Sequence, residues 1–301
     1  GGHSESITTG YARIEPNTQM SAPSGMAIYS LRQNDIIVSE ATVPATSLMI
    51  SGRIYAEITP TTNTGLAVVN PSAETALISY YFTSDNGQER WRGTTSIPAR
   101  RQIAQFLDQA PFNATAPFSG TFTFTSSTPV AAIALRGLIN ERHEFLITTL
   151  PVSELKTPGQ DVVIFPHFAD GGGWSTQILL VNPTDEEMSG TIRFFDRGTT
   201  VIPVKPVDVT IAGQTGSTFS YSILPRSSRR FQTAGAPASV QVGSTYIHPA
   251  ANSRTPSGLV IFTFKKAGVT VTEAAVRALP AAQVFRMYAE YSGTINTGDT
   301  G

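Results

Sequence analysis

Apolar and polar residues alternate with a period of two along much of the chain. In Gly120–Ser127 (GTFTFTSS), Phe122 and Phe124 fall on one face of an extended strand and the threonines on the other. GTIRFFD (190–196) and GLVIFTF (258–264) are rich in β-branched and aromatic residues, which suit a pleated surface. Pro, Gly, Asn and Asp punctuate these runs at short intervals. The pattern predicts an all-β fold of tandem immunoglobulin-like sandwiches. One segment departs from it. In Ala99–Gln109 (ARRQIAQFLDQ), Ile103, Phe106 and Leu107 stand at i, i+3 and i+4, which predicts a short helix.

The strands repeat. Pro16, Pro23, Ser24 and Gly25 match Pro249, Pro256, Ser257 and Gly258, each 233 residues later. The same offset carries Glu40-Ala41 onto Glu273-Ala274, Tyr55-Ala56-Glu57 onto Tyr288-Ala289-Glu290, and Asn63-Thr64-Gly65 onto Asn296-Thr297-Gly298. A second period of 112 residues carries Val69-Asn70-Pro71-Ser72 onto Val181-Asn182-Pro183-Thr184, each a strand, an Asn-Pro turn and a strand. A third match joins Glu144 and Leu150-Pro151 to Glu273 and Leu279-Pro280.

These registers divide the chain into a partial sandwich (1–52, the later half of a unit), a sandwich at 53–160, another at 161–283, and an orphan opening strand with its tail at 284–301. RIYAE (53–57) opens the middle unit and FPHFAD (165–170) the last; RMYAE (286–290) is that element a third time. The ends are thus out of phase with the repeat. Two explanations are open. The missing strands lie beyond the printed sequence in a longer tandem array. Alternatively, the C-terminal strand of one subunit partly completes the N-terminal half-unit of the next, head to tail. The residues expected to carry such assembly are Arg286, Met287, Tyr288, Ala289, Glu290 and Tyr291, meeting the exposed edges of residues 4–50.

TGLAVVNPS, IPARRQIAQFLDQ, PVAAIALRGLINERHEFLITTLP and FPHFADGGGWSTQILLVNPT resemble β-sandwich repeat modules of large secreted bacterial proteins of unknown function. The resemblance covers residues 53–292 and, through the repeat, the N-terminal segment. It implies export and sandwich repeats, and no substrate.

Composition agrees with that picture. Charged residues make up 14%, against about 25% in typical soluble domains, so Ser, Thr, Asn, Gln and Gly must cover much of the surface. The net charge of −1 supplies no pull toward nucleic acid, and Arg100-Arg101 and Arg229-Arg230 are too short for a nucleic-acid footprint. No apolar run is long enough for a membrane helix. There is no cysteine, which excludes disulfides, thiolate metal sites and cysteine nucleophiles. No signal peptide opens the sequence, so an exported protein would be numbered here after processing or trimming.

The candidate chemistry is sparse. His3, His143, His167 and His248 show no metal-ligand spacing. His167 with Asp170 reads as a strand end before a glycine-rich connection. Gly1, Gly2 and His3 would form a square-planar nitrogen set for Cu(II) or Ni(II) only if Gly1 were the true N-terminus. Glu40, Glu144 and Glu273 recur at one repeated position and read as hydrogen-bonding fixtures rather than promoters of a Lys–Asn crosslink. Asp185-Glu186-Glu187 is too few ligands for calcium. Asn113-Ala114-Thr115 is a lone glycosylation sequon.

The sequence therefore predicts a non-enzymatic, extracellular or cell-surface structural protein that self-associates into a homopolymer, with no cofactor. The alternative is an adhesin module that binds glycans through Trp91 or Trp174.

Overall fold

In the computed structural model, which describes residues 9–17, 20–33, 36–284 and 286–289, the chain is all-β, with no helix among the described residues. The first elements are β1 (Met26–Gln33), β2 (Ile36–Pro44), β3 (Met49–Ile58), β4 (Thr62–Val69), β5 (Ala76–Ser84), β6 (Glu89–Ile97), β7 (Gln102–Phe106), β8 (Phe118–Ile139), β9 (Phe145–Leu150) and β10 (Ser153–Glu154). There follow β11 (Val163–Asp170), β12 (Trp174–Val181), β13 (Met188–Asp196), β14 (Val209–Ile211), β15 (Gln214–Gly216), β16 (Thr218–Ile223), β17 (Ser228–Gln232), β18 (Gln241–Pro249), β19 (Ser257–Lys266) and β20 (Val269–Arg277).

The expected helix at Ala99–Gln109 is a strand. Arg100 takes a left-handed backbone, φ 57°, which breaks a helix at its first turn. Residues 102–106 then pair antiparallel with β4 as β7. Phe106 packs across Gly65 toward Phe145, ring centroids 6.3 Å apart, while Leu107 turns into the core and is fully buried. Two adjacent apolar residues thus serve opposite faces of a sheet. A helix would have kept them on one side.

The first sandwich is built around β8. Its residues 118–126 lie between β3 and β5, and its residues 131–139 lie between β4 and β9, so one strand belongs to both sheets. One sheet runs β3, β8, β5, β6 and the other β7, β4, β8, β9. Ile54, Ala56, Phe82, Phe122 and Phe124 meet Leu66, Val68, Ala132 and Ala134 between them. The second sandwich has the same order with the long strand divided in two: β11-β18-β13-β16 opposite β17-β12-β19-β20. Phe165, Phe168, Ile178, Leu180, Ile192, Phe194, Ile247 and Val260 fill it.

The Asn-Pro turns are wired alike in both. Asn70 Nδ2 donates to the carbonyls of Glu74 (2.7 Å) and Ile97 (2.9 Å), and its Oδ1 accepts from Ser72. Asn182 Nδ2 donates to Glu186 (2.6 Å), Ile223 (3.2 Å) and Leu224 (3.0 Å), and its Oδ1 accepts from Thr184. Each amide ties the end of one strand to the start of the next and to a loop far along the chain. Both asparagines are fully buried, so no water could replace those bonds.

The two sandwiches are stacked. Along β12 and β19, Ile178, Leu180 and Val260 belong to the second core, whereas Leu179, Val181, Leu259 and Ile261 join the hydrophobic cluster of the first. The sheet β17-β12-β19-β20 is therefore apolar on both faces, as strands covered on both sides must be.

Candidate interaction surface

The hairpin β1–β2 duplicates β19–β20. All eight paired positions recur 233 residues apart, from Met26↔Pro44 and Leu259↔Arg277 to Gln33↔Ile36 and Lys266↔Val269. The register slips at the same place in both, after Leu31 and after Phe264. Ser30 Oγ donates to Glu40 at 2.7 Å where Thr263 Oγ1 donates to Glu273 at 3.2 Å. Ala45 N donates to Gly25 O, and Ala278 N to Gly258 O, each at 2.9 Å. A slip shared at one position between two distant segments is a property of the unit, not of its surroundings.

Their surroundings differ. The outer edge of β19 pairs along its length with β12, and its two faces rest on the two cores. Among the described residues β1 pairs with β2 alone. Its side chains stay open: Met26 is 52% exposed where Leu259 is 4%, and Ile28 50% where Ile261 is 1%. Ile36 and Ile37 add to the patch. The hairpin is held to β9 through side chains. Ser39 Oγ accepts from Ile147 N at 2.8 Å, and Thr149 Oγ1 donates to Thr42 O at 2.7 Å. A two-stranded ribbon with open apolar faces is marginal in water, and its open edge is a template for another strand.

How such a face looks when covered is seen between the two sandwiches. Thr121 and Thr123, on the face of β8 opposite Phe122 and Phe124, are as buried as the phenylalanines. Arg53, 1% exposed, crosses the junction. Its Nε donates to Thr123 Oγ1 (2.7 Å), Nη1 to Asn182 O (2.7 Å) and Nη2 to Tyr81 Oη (2.9 Å), and burial pushes its pKa down. Thr121 Oγ1 donates to Arg226 O, and Ser228 Oγ to Asp85 Oδ1 (2.6 Å). At one side Arg136 binds Glu273, Arg230 Nη1 binds Glu57 at 2.9 Å, and Arg136 Nε stands 3.5 Å from Glu57. Burial raises the Glu273 pKa, and the Arg136 charge opposes that shift. At the rim, Glu141 accepts from Thr270 N (2.7 Å) and pairs with Lys265 (3.1 Å), which draws its carboxyl down to about 2. Buried charges persist when each is met by a partner.

The remaining sequence candidates separate. Gly1, Gly2 and His3 lie outside the described residues, as do Glu290 and Tyr291 of the expected assembly segment. Arg286, Met287, Tyr288 and Ala289 are described, exposed and outside any strand. Glu40 and Glu273 share a hairpin position. Glu144 does not: it lies in the turn before β9 and accepts from Asn140 and Arg142. His167 sits against the Phe262 ring, and burial lowers its pKa. Asp170 is buried and accepts from Gly235 N (2.8 Å), not from His167. Asp185 pairs with Arg226. Asn113 lies in a turn at φ 50°. Trp91 packs edge-on to Phe82 and Phe118, and Trp174 stacks on Phe264 at 4.9 Å. No cluster of His, Asp and Glu able to hold a metal exists among the described residues, and no helix there is long and apolar enough to cross a membrane.

Arg53 and Arg136 were not foreseen as junction residues. The signal available was Arg53 itself, an arginine among apolar residues on a predicted strand. No family model and no curated protein sequence matches the chain.

Proposed function

We propose that this chain is a subunit or tandem segment of a bacterial extracellular filament or surface matrix, built by serial stacking of β-sandwiches. One observation carries the reading: β1–β2 repeats the pairing of β19–β20 position for position, yet among the described residues no strand of the β12 kind lies along β1, and Met26 and Ile28 are open where Leu259 and Ile261 are buried. A protein that keeps such a hairpin is organised to receive its missing neighbours from elsewhere. The low charge and the resemblance to secreted repeat modules support export.

Each sandwich is in this reading a variant of the immunoglobulin arrangement, with units at 53–160 and 161–283. Pairing of the second strand with the fifth (β12–β17) and of the third with the sixth (β13–β18) supports it. The first strand lies beside the sixth, and the seventh beside the second. The role is mechanical. Pulling the ends apart loads sheet faces already pinned by Arg53, Arg136 and Glu141.

The test is negative-stain electron microscopy of the protein from its native source, with intact mass measured on the same sample. Filaments of 32.1 kDa chains, or a larger mass whose extra length supplies further sandwiches, support the reading. Monodisperse particles of 32.1 kDa overturn it.

A further inference from the structure

We infer that the open edge of β1 is completed by the C-terminal segment of a second copy of this chain, residues 295–301 pairing antiparallel with Gly25–Leu31. This rests on the assembly reading above and names its joint.

In both complete sandwiches the second strand pairs with the seventh. β4 runs antiparallel to the later part of β8, from Thr62↔Leu138 to Val69↔Ala131. β12 runs antiparallel to β19, from Trp174↔Phe264 to Val181↔Ser257. β1 stands at the seventh position of a third unit, since it is the copy of β19. What it lacks is a strand of the β4 and β12 kind.

The chain contains that strand's sequence a third time. Asn63-Thr64-Gly65 of β4 recurs as Asn296-Thr297-Gly298. The threonine is the diagnostic residue. Thr64 Oγ1 accepts from Glu57 N (3.0 Å) and donates to Glu57 O (3.3 Å), stapling the second strand to the first seven residues back. Thr176 does the same to Ala169, at 3.0 and 2.8 Å. Thr297 stands seven residues after Glu290, the third copy of that position. The sequence 286–301 thus repeats that of a unit's first hairpin, and β1–β2 is the copy of a unit's last hairpin.

These two hairpins meet twice in a finished unit. Besides the β12–β19 ladder, Leu279, just after the last strand, exchanges two hydrogen bonds with Ile164 of the first, at 3.1 and 3.2 Å. Thr46 is the copy of Leu279. Transferred by the repeat, the register sets Ile295 opposite Leu31, Asn296 opposite Ser30, Thr297 opposite Tyr29 and Gly298 opposite Ile28. Met26 and Ile28 gain a neighbouring strand, and the two-stranded ribbon becomes three-stranded. A joint of unlike ends between identical chains does not close on itself, so it propagates.

The absence of cysteine makes the register directly readable. Ser30→Cys and Asn296→Cys are placed in separate chains, one of them affinity-tagged, then mixed and oxidised. Directly opposed residues lie about 4.5–5.5 Å apart between Cα atoms, within disulfide reach. Ser30→Cys with Thr300→Cys serves as the off-register pair, displaced by about 13 Å along the strand. The in-register mixture is expected to give a covalent tagged–untagged dimer, and the off-register mixture none. Equal cross-linking in both, cross-linking in neither, or closure of the doubly substituted chain on itself at monomer mass overturns the inference. Filaments in the same sample without the in-register cross-link overturn this joint while leaving the assembly reading standing. The absence of both overturns this joint together with the separate-subunit form of the assembly reading.

Discussion

Arg53 shows how the junction between the sandwiches is held. Its guanidinium meets the Thr123 hydroxyl and the Tyr81 phenol of its own sandwich and the Asn182 carbonyl of the other, and each loses its partner if the side chain is shortened. Arg53→Ala is expected to cost about 3 kcal/mol, the sum of a cavity and an orphaned buried carbonyl, read as a lower denaturation midpoint at unchanged slope. Glu141 gives the junction a pH dependence. Its carboxyl lies near 2 in the folded chain against an ordinary 4.5, because Thr270 N–H and the Lys265 charge favour the ionised form. A depressed pKa stabilises the fold above the unfolded value, and that stability is lost as pH falls from about 4.5 toward 2. Glu141→Gln should flatten this acid limb in stability measured against pH, by lowering stability at pH 7 while changing little near pH 2.

At the scale of elements, alternation was enough to place strands such as GTFTFTSS, because one face had to be apolar. What alternation could not show is that the threonine face is sealed as well; threonine looks the same in sequence whether it meets water or a second sheet. The segment at 99–109 misled for a related reason, since Phe106 and Leu107 are separate claims on two faces. The identity of β1–β2 with β19–β20 was legible as Glu40-Ala41 against Glu273-Ala274, but the shared register slip was not. Amide hydrogen exchange should separate the two hairpins. β19–β20 should be protected as part of the core, and β1–β2 should exchange orders of magnitude faster in the isolated chain. β1 should gain protection on assembly.

At the scale of the molecule, the two sandwiches share a sheet that is apolar on both faces, so neither keeps its surface without the other. Calorimetry is expected to show one cooperative transition, with calorimetric and van't Hoff enthalpies equal, rather than two. The same stacking carried outward leaves the hairpin β1–β2 at one end and the repeat of the opening strands in the sequence at the other. Removing residues 284–301 tests that design most directly. The truncated chain is expected to keep its single thermal transition, because both sandwiches remain whole, and to form no filaments under the electron microscope. Filaments that persist after the truncation would contradict the account.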